Sequence, residues 1–328
     1  MQRTAKGWRL AAPPRHIRPP DLKTRIPFFS PRVERQILHA FAFISSIRHE
    51  SIANLFRTAF GAVIVSVSNY SYEPSLGTRP GAGKPLIEDA NVSEVLLNKL
   101  HHMRADIAWL QEEAKEAVPV GCGKVINGNF LTESSRLETA SIDLMITSPP
   151  YLNNYHYVRN TRPQLYWLSF ISSPEHQKSL ETGNFGKFWQ TVRDDKALDL
   201  EFQHQGLQQI LDRLRETRKS EGAYGGPGWA NYVAAYFNDC CRFLNILRRV
   251  LKRNGIGVIV IGNSIIQGLE IKVEQILGEI GIQQGLQLEG TPLIRSKRVG
   301  ASITQSSVRR GLLNKATLYE SAVILRKP

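Results

Sequence analysis

From residue 124 onward, short β-like runs alternate with longer helical ones, and this alternation restricts the fold more strongly than any other feature. Strands separated by crossover helices are typical of a parallel α/β sheet. The clearest helix covers 229–254, where apolar residues follow one side and Asn254-Gly255 is a stop signal. A second helix is predicted over 268–280. The predicted strands are 124–130, 142–148, 255–264, 286–294 and 317–327.

The amino-terminal third differs in character, which predicts a separate region. Residues 34–60 and 91–117 place apolar side chains at helical spacing. Residues 1–33 are rich in Arg, Lys and Pro and lack the continuous apolar segment of a secretory signal, so we expect an extended basic arm. The predicted domains are a mostly helical region, 1–117, and an α/β domain, 118–328, with an insertion at about 160–228.

Charge and composition narrow the classes of partner. The 328 residues include 42 Lys and Arg against 29 Asp and Glu, a net charge of +13. This excess favours a polyanion such as nucleic acid, with a merely basic protein as the alternative. No apolar run approaches the roughly 18 residues of a membrane span. The three cysteines and the histidines form neither a disulfide framework nor metal-ligand spacing, so we predict no metal and a reducing cytoplasmic location.

The stretch "SIDLMITSPPYLNNYHYV", residues 141–158, carries the chemistry. Its first half reads as a strand that is apolar on both faces and therefore central in the sheet. Consecutive prolines fix two φ angles and remove two amide donors, so the Pro149 carbonyl is expected to be a rigid acceptor without a local partner. Ser148 adds a second acceptor, and Tyr151 adds an aromatic face. A strand-ending turn with an accidental Pro-Pro is the alternative.

Two acceptors beside an aromatic ring suit an exocyclic amino group on a nucleobase. The lone pair of such an amine is delocalised into the ring, and acceptors on its hydrogens favour the nucleophilic state as it forms. Because ligands of open α/β sheets bind at the carboxyl ends of strands, the motif is expected to share one rim with 127–129 and 262–264.

The "TSPPY" stretch resembles the motif of the amino-group DNA methyltransferases, and its leading serine resembles the cytosine N(4) branch of that family. The resemblance covers about 118–328 and implies a Rossmann-like methyltransferase sheet, S-adenosyl-L-methionine as the cofactor and a target base flipped out of double-stranded DNA. It implies that Ser148, Pro149, Pro150 and Tyr151 form the catalytic motif, with Tyr151 stacked on the base. It also implies that Asn127, Asn129 and Thr147 contact the cofactor, although family members often have Gly-Asp where this chain has Gly128-Asn129.

One element of the family is missing from this sequence. Members carry a glycine-rich first strand beside the methionine moiety of the cofactor, and none of the Gly-x-Gly pairs here follows a clear strand and opens a helix. The sheet is therefore expected to be incomplete. The alternatives are a truncated product, one half of a split enzyme whose second chain carries the cofactor motif, and an intact but divergent site.

A basic carboxyl-terminal flank is the predicted DNA-contacting surface. Its residues are Arg295, Lys297, Arg298, Arg309 and Arg310. A solvated basic hairpin is the alternative, and the 160–228 insertion is a second candidate. The sequence as a whole predicts a site-specific DNA methyltransferase of cytosine N(4), in a restriction-modification or defence system. A non-catalytic DNA-binding subunit and an adenine N(6) or RNA methyltransferase stay open.

Overall fold

The computed structural model describes residues 7–9, 11–72, 75–113, 123–152, 156–298 and 317–328. The chain forms two compact units. One consists of Met1–Val125 and His156–Gln177, and the other of Ile126–Tyr155 and Lys178–Pro328. The division at 117/118 and the insertion at 160–228 stay predictions.

The helices of the described residues are numbered in chain order. They are α1 Pro31–Ser45, α2 Glu50–Val63, α3 Val92–Glu113, α4 Phe130–Glu133, α5 Tyr157–Trp167, α6 Pro174–Gly183, α7 Trp189–Val192, α8 Gln205–Glu216, α9 Gly226–Val250 and α10 Val273–Gln283. The strands are β1 Tyr70–Tyr72, β2 Leu76–Thr78, β3 Ile142–Thr147, β4 Leu251–Gly262, β5 Ser264–Ile266, β6 Leu269–Ile271, β7 Gln287–Gly290, β8 Leu293–Arg298 and β9 Thr317–Arg326. None of these helices has both the length and the apolar character that crossing a membrane requires.

The first unit is helical, as predicted. The helices α1 and α2 fill 34–60 and α3 fills most of 91–117, of which 114–117 lie outside the described residues. Their core is aromatic: the ring of Trp167 contacts Phe29, Phe41 and Phe60, with centroids 5.4, 6.3 and 6.2 Å away. Large rings that meet at tilted or edge-on angles stabilise a core beyond their burial alone.

The second unit is a mixed α/β sheet with helices, which confirms the predicted fold class. Its strand order is β3-β4-β9-β7, with β8 also paired to β9. β3 and β4 are parallel, whereas the other pairs in this sheet are antiparallel. The crossover between β3 and β4 includes α9, whose residues are buried over most of its 25-residue length. Gly257 of β4 lies so close to this helix that an added Cβ would be 2.8 Å from Leu247.

The prediction that 142–148 is a central strand is wrong. β3 lies at the end of the strand order and pairs with β4 alone among the described strands. Leu144 is 55% exposed and Ile146 is 68% exposed. Apolar residues on both faces suggested that both faces of β3 are covered, but Leu144 and Ile146 on one face are exposed.

Several predicted boundaries also change. Residues 124–127 form no strand, and Val125 is 92% exposed. The helix predicted to reach Asn254 ends at Val250, because the chain is already paired as a strand from Leu251. A β5–β6 hairpin precedes α10, turning at Gln267 and Gly268 with φ of 50° and 79°.

Candidate active site

The Ser-Pro-Pro-Tyr motif follows β3 directly and meets the end of β4. Because β3 and β4 run parallel, their carboxyl ends lie at the same rim, and Tyr151 lines one cavity with Gly262 and Asn263. An added Cβ on Gly262 would be 3.1 Å from Cδ2 of Tyr151, so the absent side chain makes room for this ring. Beyond the motif, the Ser264 hydroxyl donates to the carbonyl of Leu152 at 3.0 Å. The predicted approach of 148–151 to 262–264 is therefore present.

The two proline carbonyls of the motif have different surroundings. The Tyr236 hydroxyl, on the buried face of α9, donates to the Pro150 carbonyl at 3.1 Å. Burial raises the pKa of Tyr236 well above its ordinary value, so this donor keeps its proton. No described residue donates a hydrogen bond to the Pro149 carbonyl. Of the two carbonyls, that of Pro149 has both lone pairs unused by the described residues, whereas that of Pro150 has one lone pair occupied.

The serine hydroxyl also has acceptor capacity. Ser148 Oγ donates to the Tyr151 hydroxyl oxygen at 3.3 Å. Burial raises the pKa of Tyr151, and the carboxylate of Glu320 beside it acts in the same direction, so the phenol stays neutral. With its hydrogen directed at Tyr151, the serine oxygen presents its lone pairs elsewhere.

A cavity of about 420 Å³ opens beside the tyrosine ring. Its lining is Tyr151, Gly262, Asn263, Arg295, Ser296, Leu318, Tyr319 and Glu320. Arg295 holds Glu320 through two hydrogen bonds, of 2.6 and 2.7 Å, and this guanidinium lowers the pKa of the carboxyl. The cavity therefore has an aromatic face, a charged pair and volume enough for a single nucleobase.

Asn263 fixes one wall of this cavity. Its Oδ1 accepts from the backbone N–H of Tyr319 at 2.9 Å, and its Nδ2 donates to Glu270 and to the carbonyl of Thr317. The Tyr319 hydroxyl donates to Glu274 at 2.8 Å. Both side chains are therefore committed to the protein, whereas Arg295 uses only Nε and Nη2 on Glu320 and keeps the donors of Nη1 on the cavity wall.

The residues predicted to contact a cofactor have structural partners of their own. Asn129 caps α4 by accepting from the backbone N–H of Leu131 at 2.9 Å, and its Nδ2 donates to the carbonyl of Gly183 at 2.7 Å. The Asn127 carbonyl accepts from Arg136 at 3.2 Å. Thr147 is half-buried at the end of β3. Cofactor contacts at these three residues stay predictions, and at Asn129 a cofactor would compete with both existing bonds.

The predicted DNA-contacting residues are only partly described. Arg295 is 73% exposed but bound to Glu320. Lys297 and Arg298 belong to β8, and their side chains are outside the described residues, as are Arg309 and Arg310 altogether. A phosphate-binding role for all five stays a prediction.

Sequence reasoning missed the residues that support the motif from elsewhere in the chain. Tyr236 lies within the predicted crossover helix and Glu320 within the last predicted strand, and no sequence pattern marks either residue as part of the site. In the stretch "TLYESAV", Glu320 lies two residues before the buried Ala322. Its position opposite Arg295 depends on the β8–β9 register. The described residues include no cluster of His, Cys, Asp and Glu suited to a metal ion. Cys240 and Cys241 are free and buried.

Comparison with known proteins gives relatives for part of the chain. No protein-family model matches it. The type II methyltransferases M.AvaI of Nostoc sp. and of Anabaena variabilis are each 25% identical over 214 residues, which is 62% of this chain and 42% of theirs. The chain therefore spans less than half the length of these curated relatives.

Among solved structures, TTHA0409 of Thermus thermophilus, a candidate DNA modification methylase, has been determined with S-adenosyl-L-methionine. It is 13% identical, with a TM-score of 0.30, and the match covers 61% of this chain and 54% of that one. The sequence similarity to M.AvaI supports a relationship between this chain and the DNA methyltransferases.

Proposed function

We propose that this chain is the catalytic part of a DNA methyltransferase that uses S-adenosyl-L-methionine and modifies the exocyclic amino group of cytosine at N(4). The observation that carries the proposal is a pair of acceptors at the end of β3 to which no described residue donates a hydrogen bond. Pro150 is held by Tyr236, whereas the carbonyl of Pro149 and the oxygen of Ser148 keep acceptor capacity. The relationship to the type II methyltransferase M.AvaI favours DNA as the substrate and restriction-modification as the setting.

The residues of the motif act on the base in the following way. The Pro149 carbonyl and Ser148 Oγ each accept one hydrogen of the amino group, which turns its lone pair out of conjugation with the ring. The nitrogen then accepts a methyl group and afterwards loses one proton, so no strong base is needed. Tyr151 offers a face on which the flipped ring stacks.

The adjoining cavity explains how a pyrimidine could be held. Arg295 and Glu320 form a donor and acceptor pair beside Tyr151. A cytosine edge carries one donor and two acceptors, and an adenine edge carries a donor and an acceptor. Because the amino hydrogens are assigned to Ser148 and Pro149, the guanidinium is the group available to the ring acceptors. Methylation of adenine or of RNA remains the second candidate.

S-adenosyl-L-methionine would supply the methyl group, but the described residues do not make a complete site for it. Both polar ends of the Asn129 amide already have partners within the chain. The glycine-rich strand is also absent from the sequence. We therefore assign only the base-activating residues to this sequence and propose that the remaining cofactor contacts come from sequence outside it, in a longer chain or in a second polypeptide.

The test is Ser148→Ala in the active enzyme. If the chain alone is inactive, the part of M.AvaI that lies outside the match is added to it to obtain an active enzyme. We expect methyl transfer to fall about a hundredfold while DNA affinity stays nearly unchanged, since the lost bond matters as charge develops. Ser141→Ala is the matched control, because that hydroxyl bonds to the Glu138 carbonyl at the opposite end of β3. Methyl mapping should find N(4)-methylcytosine. Methylated adenine would contradict the cytosine assignment, and an unimpaired Ser148→Ala variant would contradict the mechanism.

A further inference from the structure

Three residues of neighbouring strands form a row beside the Tyr151 ring. Gly262 of β4 pairs with Glu320 of β9, and Glu320 pairs in turn with Arg295 of β8. Residues directly opposite each other on neighbouring strands point to the same face of a sheet. Glu320 therefore projects on the face where the Tyr151 ring packs over Gly262. The row and the tyrosine line the same cavity, so a carboxylate lies beside the phenol.

The glycine in this row lets the two polar groups meet. An added Cβ on Gly262 would lie 3.1 and 3.2 Å from Cδ2 and Cε2 of the Tyr151 ring, so a larger side chain would separate the ring from Glu320. Arg295 lowers the pKa of the Glu320 carboxyl, and a hydrogen bond from Tyr151 acts in the same direction. Glu320 is therefore ionised at neutral pH, and an ionised carboxylate can only accept hydrogen bonds.

The hydrogen bonds from Ser148 to Glu320 consequently have one direction. A hydroxyl group carries a single hydrogen, and Tyr151 gives its hydrogen to the carboxylate. Tyr151 can then only accept from Ser148, in agreement with the bond of 3.3 Å from Ser148 Oγ to the Tyr151 hydroxyl oxygen. This bond uses the serine hydrogen. The serine oxygen therefore meets any further partner as an acceptor.

We propose that Glu320 is the positioning residue that makes Ser148 an acceptor for the amino group of the target base. This inference rests on the proposed function. Without an acceptor-only group beside it, Tyr151 could donate to Ser148, and the serine hydrogen could then turn toward the amino group. Two hydrogens would face each other there, and the amine would lose one of its two acceptors. Glu320 thus acts on the base through Tyr151 and Ser148.

Arg295 keeps the carboxylate in place for this task. Its Nε donates to one carboxylate oxygen of Glu320 at 2.6 Å and its Nη2 donates to the other at 2.7 Å. Each oxygen retains a lone pair for Tyr151. The Glu320 side chain is only 20% exposed, so competition from water is limited. The alternatives are a carboxylate that only stabilises the fold and one that contacts the base directly, and neither acts through the Tyr151 hydroxyl.

The first measurement is a double-mutant cycle on the single-turnover methylation rate of the active enzyme. Glu320→Gln keeps the size of the side chain but adds two N–H donors, so the direction of the bonds is no longer fixed. Tyr151→Phe keeps the stacking ring and removes the link. We expect each variant to be about tenfold slower. The double variant should be no slower than Tyr151→Phe, because both changes break the same connection to Ser148.

Glu289→Gln is the matched control for the rates. Glu289 lies on β7 of the same sheet and accepts from Arg326 Nε at 2.7 Å, so this change also alters a glutamate that is paired with an arginine. The methylation rate should stay at the parent value.

The second measurement needs no catalysis. The full chain is labelled with carbon-13 at tyrosine Cζ, NMR follows the ionisation of each tyrosine, and Tyr151→Phe identifies the signal of Tyr151. Burial raises the pKa of Tyr151, and the carboxylate of Glu320 raises it further. Glu320→Gln should therefore lower the pKa of Tyr151, whereas Glu289→Gln should leave it unchanged.

Three results would overturn this role for Glu320. They are a Glu320→Gln variant as fast as the parent, an equal loss from Glu320→Gln with and without the Tyr151 hydroxyl, and a pKa of Tyr151 that does not respond to Glu320→Gln. Unfolding curves of both glutamine variants check that they fold. Failure of the proposed function gives a different result: a parent enzyme that methylates no cytosine, with a pKa of Tyr151 that still falls in Glu320→Gln, refutes the function and supports the hydrogen-bond chain.

Discussion

At the scale of single residues, Tyr236 distinguishes the two proline carbonyls. Its ring is fully buried in α9, while its hydroxyl reaches the backbone of the motif. The bond occupies one lone pair of the Pro150 carbonyl and fixes the peptide unit between Pro150 and Tyr151. A buried side chain far away in sequence thereby makes the two proline carbonyls unequal as acceptors.

Tyr236→Phe tests this role because it removes one oxygen and keeps the ring. We expect the free energy of unfolding to fall by about 0.5–1.5 kcal/mol, the usual net value of one hydrogen bond. Methyl transfer should fall further, by about tenfold, because the motif loses a fixed orientation. Chemical denaturation and single-turnover rates measure the two effects. Tyr224→Phe, at a tyrosine that is 61% exposed, should change neither. Equal rates for both variants would show that the bond only stabilises the fold.

At the scale of elements, the end of β4 is shaped to the motif. Gly262→Ala should force Tyr151 to move, since the new Cβ would lie 3.1 Å from the ring carbon Cδ2 and equally near the carbonyl of Tyr319. We expect overpacking to lower the free energy of unfolding by about 1–3 kcal/mol. Binding of the target base should also weaken, which a fluorescence assay with DNA carrying a base analogue measures. Gly290→Ala is the control, because its nearest neighbour would be Pro292 at 3.9 Å. Base binding unchanged by Gly262→Ala would show that Tyr151 need not lie there.

The sequence predicted the helices and strands better than it predicted which of them lie next to each other. The helix α9 and the strands β4 and β9 have strong periodic patterns, and the rim shared by the motif and 262–264 followed from parallel topology. Exposure of β3 could not be predicted, because Leu144 and Ile146 are as apolar as covered strand residues and the composition does not state what covers them. The Arg295–Glu320 pair depends on register between β8 and β9, which single-sequence patterns do not define.

At the scale of the whole molecule, the net charge of +13 bears on how DNA is held. Affinity for duplex DNA should fall steeply with salt, because each neutralised phosphate releases counterions. Changing Arg309 and Arg310 together to Ala should reduce the slope of log affinity against log salt by roughly two if both contact phosphates. Titrations at four or more salt concentrations measure the slope. Arg57 and Arg79 changed together to Ala provide a control of equal charge, and an equal reduction by this control would show only a general charge effect.

The open edge of β3 also bears on how the protein can be produced. A regular apolar edge is a template for pairing with any extended chain, including partly folded copies of the same protein. The chain expressed alone should therefore accumulate as insoluble material at high expression, and Ile146→Ser should raise the soluble yield. Solubility, and not only catalysis, then becomes subject to selection through two exposed side chains.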